Sequence, residues 1–529
     1  MALFREETRL RAERIAVAAP RRLVLRGRIA TLDSTGLVIP DGLVCVEDDL
    51  IASTSPADMG VPPGFRGSPL IETGGTIYPG LIELHNHPAY NAIPLWSVPT
   101  QYLNRGQWRS DPLYKRKVAN PATLLTHHPQ EIYPKSVARY VECRALLGGV
   151  TTTQGLTISS LGNTVSYYQG LVRIVEFSYG ANWPTATDHI NDFSSFAEFQ
   201  QTYGPVMNQA LSRLVIHLCE GTDHTTQALF ANLIDPNGQP LISSNLVTIH
   251  GTALGPAQFA SLKPAGGLIW SPTSNFLLYG ATTNVIAAIS AGLAVAIGCD
   301  WAPSGTKNIL GELKIAKLTS SQLNGLFSDE QLVRMVTTVP AKMMGWDTFL
   351  GSVESGKQAD LLIIGIADGN PYTTLIAATE TDVAAVLIGG KLRAGRASLV
   401  DPTTPGVELI HVANQSMVLD LVDDPSQPLA NVTLQGSIAT LSYALEHLPE
   451  LAQTFQEEHV GLMGAPARFR IRLEMDEAVA LEAISGSVPI GPGDVDPMEL
   501  DGITAVDDGT FIQRLKSNMN LPQWLKAAL

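Results

Sequence analysis

Residues 77–88 read Ile-Tyr-Pro-Gly-Leu-Ile-Glu-Leu-His-Asn-His-Pro. An apolar run, Leu81 to Leu84, leads directly into His85 and His87. In an extended strand, residues two apart face the same way. Two imidazoles on one face at the end of a buried strand make half a site for a divalent metal. Pro88 cannot donate to a ladder and so suits the strand's end. A His-x-His pair alone is common by chance. The reading turns on whether the rest of the chain supplies further ligands, a proton shuttle and a scaffold to hold them.

Outward from that strand, residues 76 to about 345 alternate strand-like and helix-like segments. Such alternation argues for parallel βα units. The expected fold class is α/β, a (β/α)8 TIM-type barrel of regular or distorted form. After the first strand a long insertion runs from Tyr90 to about Pro134, with Trp96, Tyr102, Trp108 and Tyr114 and no clear period. Long loops after barrel strands lie over the active-site face. A helix over Val137–Leu147 and strands over 150–153 and Leu171–Phe177 follow. No fourth strand is legible before Leu214. Strands then read over Leu214–Leu218, Leu246–His250, Gly267–Ser271 and Ala294–Asp300.

The flanks have another character. Leu23–Leu32 and Gly42–Glu47 are β-rich, with Ile39-Pro-Asp-Gly a turn signal between them. Beyond the barrel, residues 350–365 and 383–391 again resemble hairpins. The expected division is residues 1–75 and 346–400 in a small β-sandwich domain built from both flanks, a barrel over 76–345, and a C-terminal extension over 401–529. Residues 1–20 look like a polar helical lead. In the extension Leu441–Gln456 looks helical and residues 486–509 look like a loop.

At 529 residues, with 45% hydrophobic and 16% charged residues, the chain can bury a large core. A formal net charge of −15 disfavours nucleic acid or an anionic membrane surface as partner. Cys45, Cys143, Cys219 and Cys299 are scattered and form neither a disulfide framework nor a zinc knuckle. The N-terminal residues lack an apolar h-region. A soluble cytoplasmic protein acting on a small molecule is the expectation.

Three further pieces fall at predicted strand ends. Leu214-Val-Ile-His-Leu-Cys-Glu carries His217 and Glu220, Leu246-Val-Thr-Ile-His ends on His250, and Val295-Ala-Ile-Gly-Cys-Asp ends on Asp300. Singly, His250 reads as a satisfied core histidine, Glu220 as a loop acid and Asp300 as a helix cap. Jointly, a parallel barrel brings all such ends to one face, and a metal site accounts for them together.

At this point the chain resembles the amidohydrolase superfamily, within its cytosine deaminase, chlorohydrolase and imidazolonepropionase-like branch. The motifs that carry the likeness are PGLIELHNH (79–87), GGVTTTQG (148–155), IHLCEG (216–221), VTIHG (247–251), SPTSNFLLYG (271–280), AIGCDWAPSG (296–305) and LGSVESGKQADLLII (350–364). They span about residues 22–395. The resemblance implies His85, His87, His217 and Asp300 as metal ligands. It implies Glu220 as proton shuttle, His250 as the group that polarises substrate or orients water, Asp300 as a base, and Asn275 near the site. A homo-oligomer is implied by the resemblance alone.

Many binuclear relatives bridge two metals with a carboxylated lysine. No lysine lies between Lys135 and Lys263, so one divalent metal is expected, with Glu176 the remaining candidate bridge. Zinc is the first choice by ligand type, with iron or manganese compatible. The expected chemistry is attack by a metal-bound hydroxide on a non-peptide C–N bond. The aromatic insertion, and Trp301 beside Asp300, favour a bulky or apolar amide, lactam or carbamate, with Trp96, Trp301 and Asn275 as substrate contacts. The alternatives are hydrolytic deamination of an aminated heterocycle or guanidine and, in another class, a noncatalytic barrel acting as a binding partner.

Overall fold

The computed structural model describes residues 22–160, 164–400, 406–461 and 469–529. The polar lead expected over residues 1–20 lies outside them. Two parallel sheets form the centre. One holds β1 (Leu81–Glu83), β2 (Val150–Thr153) and β3 (Arg173–Ile174). The other runs in order through β4 (Thr185–His189), β5 (Ser212–Leu218), β6 (Leu246–His250), β7 (Gly267–Trp270) and β8 (Val295–Ile297). The registers of the second sheet are parallel throughout.

Backbone hydrogen bonds cross both gaps between the sheets. Ala186 N donates to Val175 O at 2.8 Å, joining the end of β3 to β4. Asp300 N donates to His85 O at 2.9 Å and His87 N to Asp300 O at 2.6 Å, joining β8 to β1. That second junction needs Gly298, because a Cβ there would stand 2.6 Å from His85 Cβ.

Alternation along the strands separates two apolar sets. Val215, Val247, Ile249, Ile269 and Ala296 share one buried cluster with Ile82, Leu84 and Ala186. Their neighbours Leu214, Ile216, Leu246 and Leu268 pack in the larger cluster with the helices. Met343, Met344 and Trp346 join the inner cluster. Trp346 Nε1 donates to Pro184 O at 2.7 Å, so this plug sits at the N-terminal ends of the strands. The opposite, C-terminal ends are left for polar side chains.

The flanks meet in one nine-stranded sheet. Leu361–Ile364 pairs antiparallel with Leu70–Pro79, and the sheet continues through Arg22–Ala30, Val38–Glu47 and Leu50–Pro56. On the other side it continues through Val383–Ile388 and Lys391–Arg396 to Gln415–Asp420 and Val407–Val412. The last two strands thus extend it past residue 400.

The insertion after β1 is partly helical. Arg105–Ser110 is a helix, and Pro112–Tyr114 continues through a π-turn, Lys115–Ala119, into Asn120–Thr126. The C-terminal segment packs on this insertion: Tyr90 and Tyr114 donate to Asp476 Oδ2 at 2.9 and 2.6 Å, and Leu95 N donates to Asp501 Oδ2 at 3.0 Å. The four cysteines are buried and unpaired. Among the described residues no helix is long and apolar enough to cross a membrane.

Candidate active site

At the C-terminal ends of β1, β5, β6 and β8, four histidines and a carboxylate converge, all with side chains hidden from solvent. His217 Nε2 stands 3.2 Å from His85 Nε2 and 3.1 Å from His87 Nε2. Asp300 Oδ1 stands 3.3 Å from His85 Nε2 and 3.5 Å from His87 Nε2. A tetrahedral ion bonded at about 2.0–2.1 Å has ligand edges of about 3.3–3.4 Å. The four separations are close to such edges, and although His217 and Asp300 share no single close group, each stands beside both His85 and His87, an arrangement that could hold one small divalent metal.

The charge states agree. Burial, reinforced by neighbouring imidazoles and Arg105, holds His85 and His217 well below the ordinary histidine range. Burial likewise takes His87 to about 3. Near neutral pH the rings therefore keep free lone pairs, as ligands must. Burial and the Glu220 charge push Asp300 well above the ordinary carboxylate range, against the hydrogen bond from Ser274. A cation among these atoms supplies the positive partner that such a buried carboxylate lacks.

Strand ends alone do not set the ligand orientations. One short helix, Pro272–Tyr279, with the residue before it, does much of this. Ser271 Oγ lies 2.7 Å from His85 Nδ1 and Ser274 Oγ donates to Asp300 Oδ2 at 2.6 Å. Asn275 Nδ2 lies 3.1 Å from His250 Nδ1, and Tyr279 OH donates to Glu220 Oε1 at 2.6 Å. Because His85 turns Nε2 to the cluster, its Nδ1 carries the proton that Ser271 accepts.

The same logic sets His250 apart from the other three histidines. Trp270 Nε1 donates to Thr282 Oγ1, and Thr282 in turn donates to Asn275 Oδ1 at 3.3 Å. Asn275 therefore presents its NH2 to His250 Nδ1, which accepts, and the proton of neutral His250 rests on Nε2. That N–H points toward Glu220 Oε2, 3.7 Å away. Burial lowers His250 to about 4, with Glu220 opposing the shift. His250 is thus a neutral donor beside the ligand set. His250 and Asp300 occupy the left-handed region at φ 63° and 70°, as strained residues at functional strand ends do.

Outside Glu220 a cavity of about 690 Å3 opens, lined by Asn104, Arg105, Asn191, Asp192, Thr226 and others, with Asp476 and Val479 from the C-terminal segment. None of the insertion's aromatic residues lines this cavity. Trp108, Tyr114 and Trp301 are buried in mutual contact. Trp301 meets the His87 ring edge-on. Trp96 stacks on Tyr102 and lines a different cavity, against Met498–Gly502. Asn275 reaches the site through His250. Among the described residues, the groups of metal-binding atoms close enough to share an ion are His85, His217 and His250, and His85, His87 and Asp300. Glu176 is in neither. Its Oε2 accepts the Gly155 N–H, and it lies beside Asp188 and Glu474.

Ser271, Ser274, Tyr279 and Arg105 escape a reading of the sequence. The first three stand in the SPTSNFLLYG motif at a spacing of three and five residues, which places them near one helix face.

Comparison with known proteins bears on the whole. A family model described as the amidohydrolase family matches residues 216–393, from the residue before His217 to beyond Asp300. A 5-methylthioadenosine/S-adenosylhomocysteine deaminase of Moorella thermoacetica is 22% identical over 419 residues, which is 70% of this chain and 95% of that protein. In fold, the chain is similar to an adenosine deaminase from Xanthomonas campestris with bound zinc, at TM-score 0.52 and 16% identity over 79% of this chain and 96% of that one. It is also similar to an atrazine chlorohydrolase from Arthrobacter aurescens complexed with zinc, at TM-score 0.52 and 18% identity over 70% and 94% of the two chains.

Proposed function

We propose, from the premise that the chain belongs to the amidohydrolase superfamily and is a hydrolase of non-peptide carbon–nitrogen bonds, that it deaminates an aminated heterocycle by hydrolysis. The observation that carries this choice over an apolar amide is the wall of the cavity beside Glu220. It presents the polar side chains Asn104, Asn191 and Thr226, which can read a polar ring edge, and none of the insertion's aromatic residues lines it. The deaminase names of similar proteins are consistent with it.

The two parallel sheets are read as the halves of one (β/α)8 barrel over residues 76–345, a reading supported by the hydrogen bonds across both gaps. The nine-stranded sheet is read as a small domain shared by the flanks 1–75 and 346–400, with 407–420 added to it. His85, His87, His217 and Asp300 would hold one divalent metal, zinc by its affinity for a set of three imidazole nitrogens and a carboxylate oxygen. When bound, the metal makes water acidic enough to attack near neutral pH.

The protein's own groups do the rest. Asp300 Oδ1 takes a proton from the attacking water while Ser274 fixes its other oxygen. His250 Nε2–H donates to the oxygen that develops charge, held in aim by Asn275. Glu220, anchored through Oε1 by Tyr279, uses Oε2 to pass the proton released by the water on to the departing nitrogen, which leaves as ammonia. The carbon gains an oxygen and loses an amino group.

The test is ammonia release by the zinc-loaded protein across paired panels of aminoheterocycles and amides. Ammonia from an aminoheterocycle supports the proposal. Carboxylate release from amides with no deamination refutes it.

A further inference from the structure

We infer that the cavity outside Glu220 contains an anion subsite, formed by Arg105, Arg109 and Lys115 of the insertion, and that the substrate carries a carboxylate which docks there. The inference rests on reading that cavity as the substrate's.

The cavity is lined by three cations, Arg105, Arg109 and Lys115, and three carboxylates, Asp192, Glu220 and Asp476. The formal charges cancel, but the hydrogen bonds do not follow them. The short hydrogen bonds to the carboxylates come from neutral donors. Asp476 accepts two tyrosine hydroxyls, at 2.9 and 2.6 Å. Glu220 accepts Tyr279 at 2.6 Å, and Asp192 accepts the Cys219 backbone N–H at 2.8 Å.

Donors on the cations are left over. Arg105 is only 7% exposed, yet its Nη1 makes no hydrogen bond. Its Nη2 donates a long hydrogen bond to Asp192 Oδ2 at 3.4 Å, and Nη1 stands 3.5 Å from Glu220 Oε2. A guanidinium offers five N–H donors in a planar fork. A buried donor left unmade is costly, and a ligand that completes it explains why it is there. Arg109, four residues on and so on the same helix face, spends donors on neutral acceptors, Asn191 Oδ1 at 3.1 Å and the Met475 carbonyl. Lys115 is exposed, and its ammonium is in no ion pair among the described residues.

The subsite is built rigidly. Arg105 N donates to Glu220 O at 3.3 Å, Asn104 pairs with Gly221 in an isolated bridge, and Asn104 Nδ2 donates to Asp223 at 2.6 Å. The helix that carries the two arginines is thereby stapled to the loop that carries Glu220. The C-terminal segment, which holds Arg109 through Met475 and lines the cavity with Val479, closes the other side. Residues beyond 400 thus shape what the site admits.

The test uses the full-length, zinc-loaded protein and two probes of one shape, glutarate and its neutral diamide, in calorimetric titrations. Glutarate is expected to bind at least about tenfold tighter than the diamide, as a charge-assisted fork contact allows. The double variant Arg109→Gln/Lys115→Gln is expected to lose that preference with its zinc content intact. Arg105→Lys, which keeps the charge and loses the fork, is expected to weaken glutarate binding in its own right. Equal affinity for the two probes, no detectable glutarate binding, or glutarate binding unchanged by both variants overturns the subsite. Ammonia release is scored separately: discrimination without any deamination sinks the proposed reaction and leaves the subsite, and deamination without discrimination does the reverse.

Discussion

Replacing Ser271 by alanine removes one oxygen from a fully buried site, and the consequences can be worked out from its surroundings. Ser271 Oγ is the acceptor for His85 Nδ1 at 2.7 Å, and both residues are 0% exposed. No solvent reaches the nitrogen to replace the lost partner. A buried donor left unsatisfied costs about 1–3 kcal/mol. Loss of the group that orients a metal-ligating histidine weakens metal affinity about 10–100-fold, which is about 1.4–2.8 kcal/mol. The two estimates overlap, as they must if His85 is a ligand whose ring is fixed by Ser271. Ser271 also precedes the helix Pro272–Tyr279, but its side chain makes no capping hydrogen bond, so the helix itself is spared. The assay is zinc titration of the metal-free protein against a chromophoric chelator. Affinity within about twofold of the native protein, in a variant that folds normally, refutes the argument that this hydroxyl aims the ligand.

The same helix makes a second expectation: Tyr279→Phe strips a charged-group hydrogen bond from Glu220 and an acceptor from Trp108 Nε1, which lies 2.8 Å from the phenol oxygen. A fall in kcat of at least about tenfold, with a lower Tm, is expected from a bond of about 1.5–3 kcal/mol; turnover at the native rate contradicts it. Gly298→Val places bulk against His85 Cβ, so zinc content measured by elemental analysis should drop sharply. A Gly298→Val protein with full zinc would show that β8 and β1 need not meet this closely. Burial, with Asp188 nearby, raises Glu474 to about 8. Between its unfolded value near 4.3 and about 8 the folded state binds more protons than the unfolded, so this group's contribution to stability falls as pH rises. Glu474→Gln should therefore raise Tm more at pH 8.5 than at pH 5, and an equal shift at both contradicts that sign.

The convergence of His85, His87, His217, His250 and Asp300 was legible in the sequence because each stands at or just past the end of a run of buried β residues, as in Leu214–His217 and Leu246–His250. Tertiary contacts hid other parts. The fourth parallel strand, Thr185–His189, reads Thr-Ala-Thr-Asp-His, too polar to announce a strand, and is held by parallel pairing to Ser212–Leu218. The third shrinks to Arg173–Ile174 because pairing along β2 is brief. The helical stretch over 112–126 in the insertion is broken in pattern by Pro112, Pro121 and a π-turn, so no 3.6-residue period shows. Arg105 sits in a polar stretch that resembles a solvated surface, and only its long-range tie to the Glu220 loop buries it. The apolar Phe276-Leu-Leu run likewise masks the polar face formed by Ser271, Ser274, Asn275 and Tyr279.

His85, His87, His217 and Asp300 are proposed to hold a single metal on which hydrolysis depends. Metal content, measured together with ammonia release for the native protein and for His217→Ala, tests it most directly. One divalent metal per native chain is expected, with both metal and ammonia release lost in His217→Ala. A His217→Ala protein that keeps its metal and releases ammonia at the native rate would contradict the account.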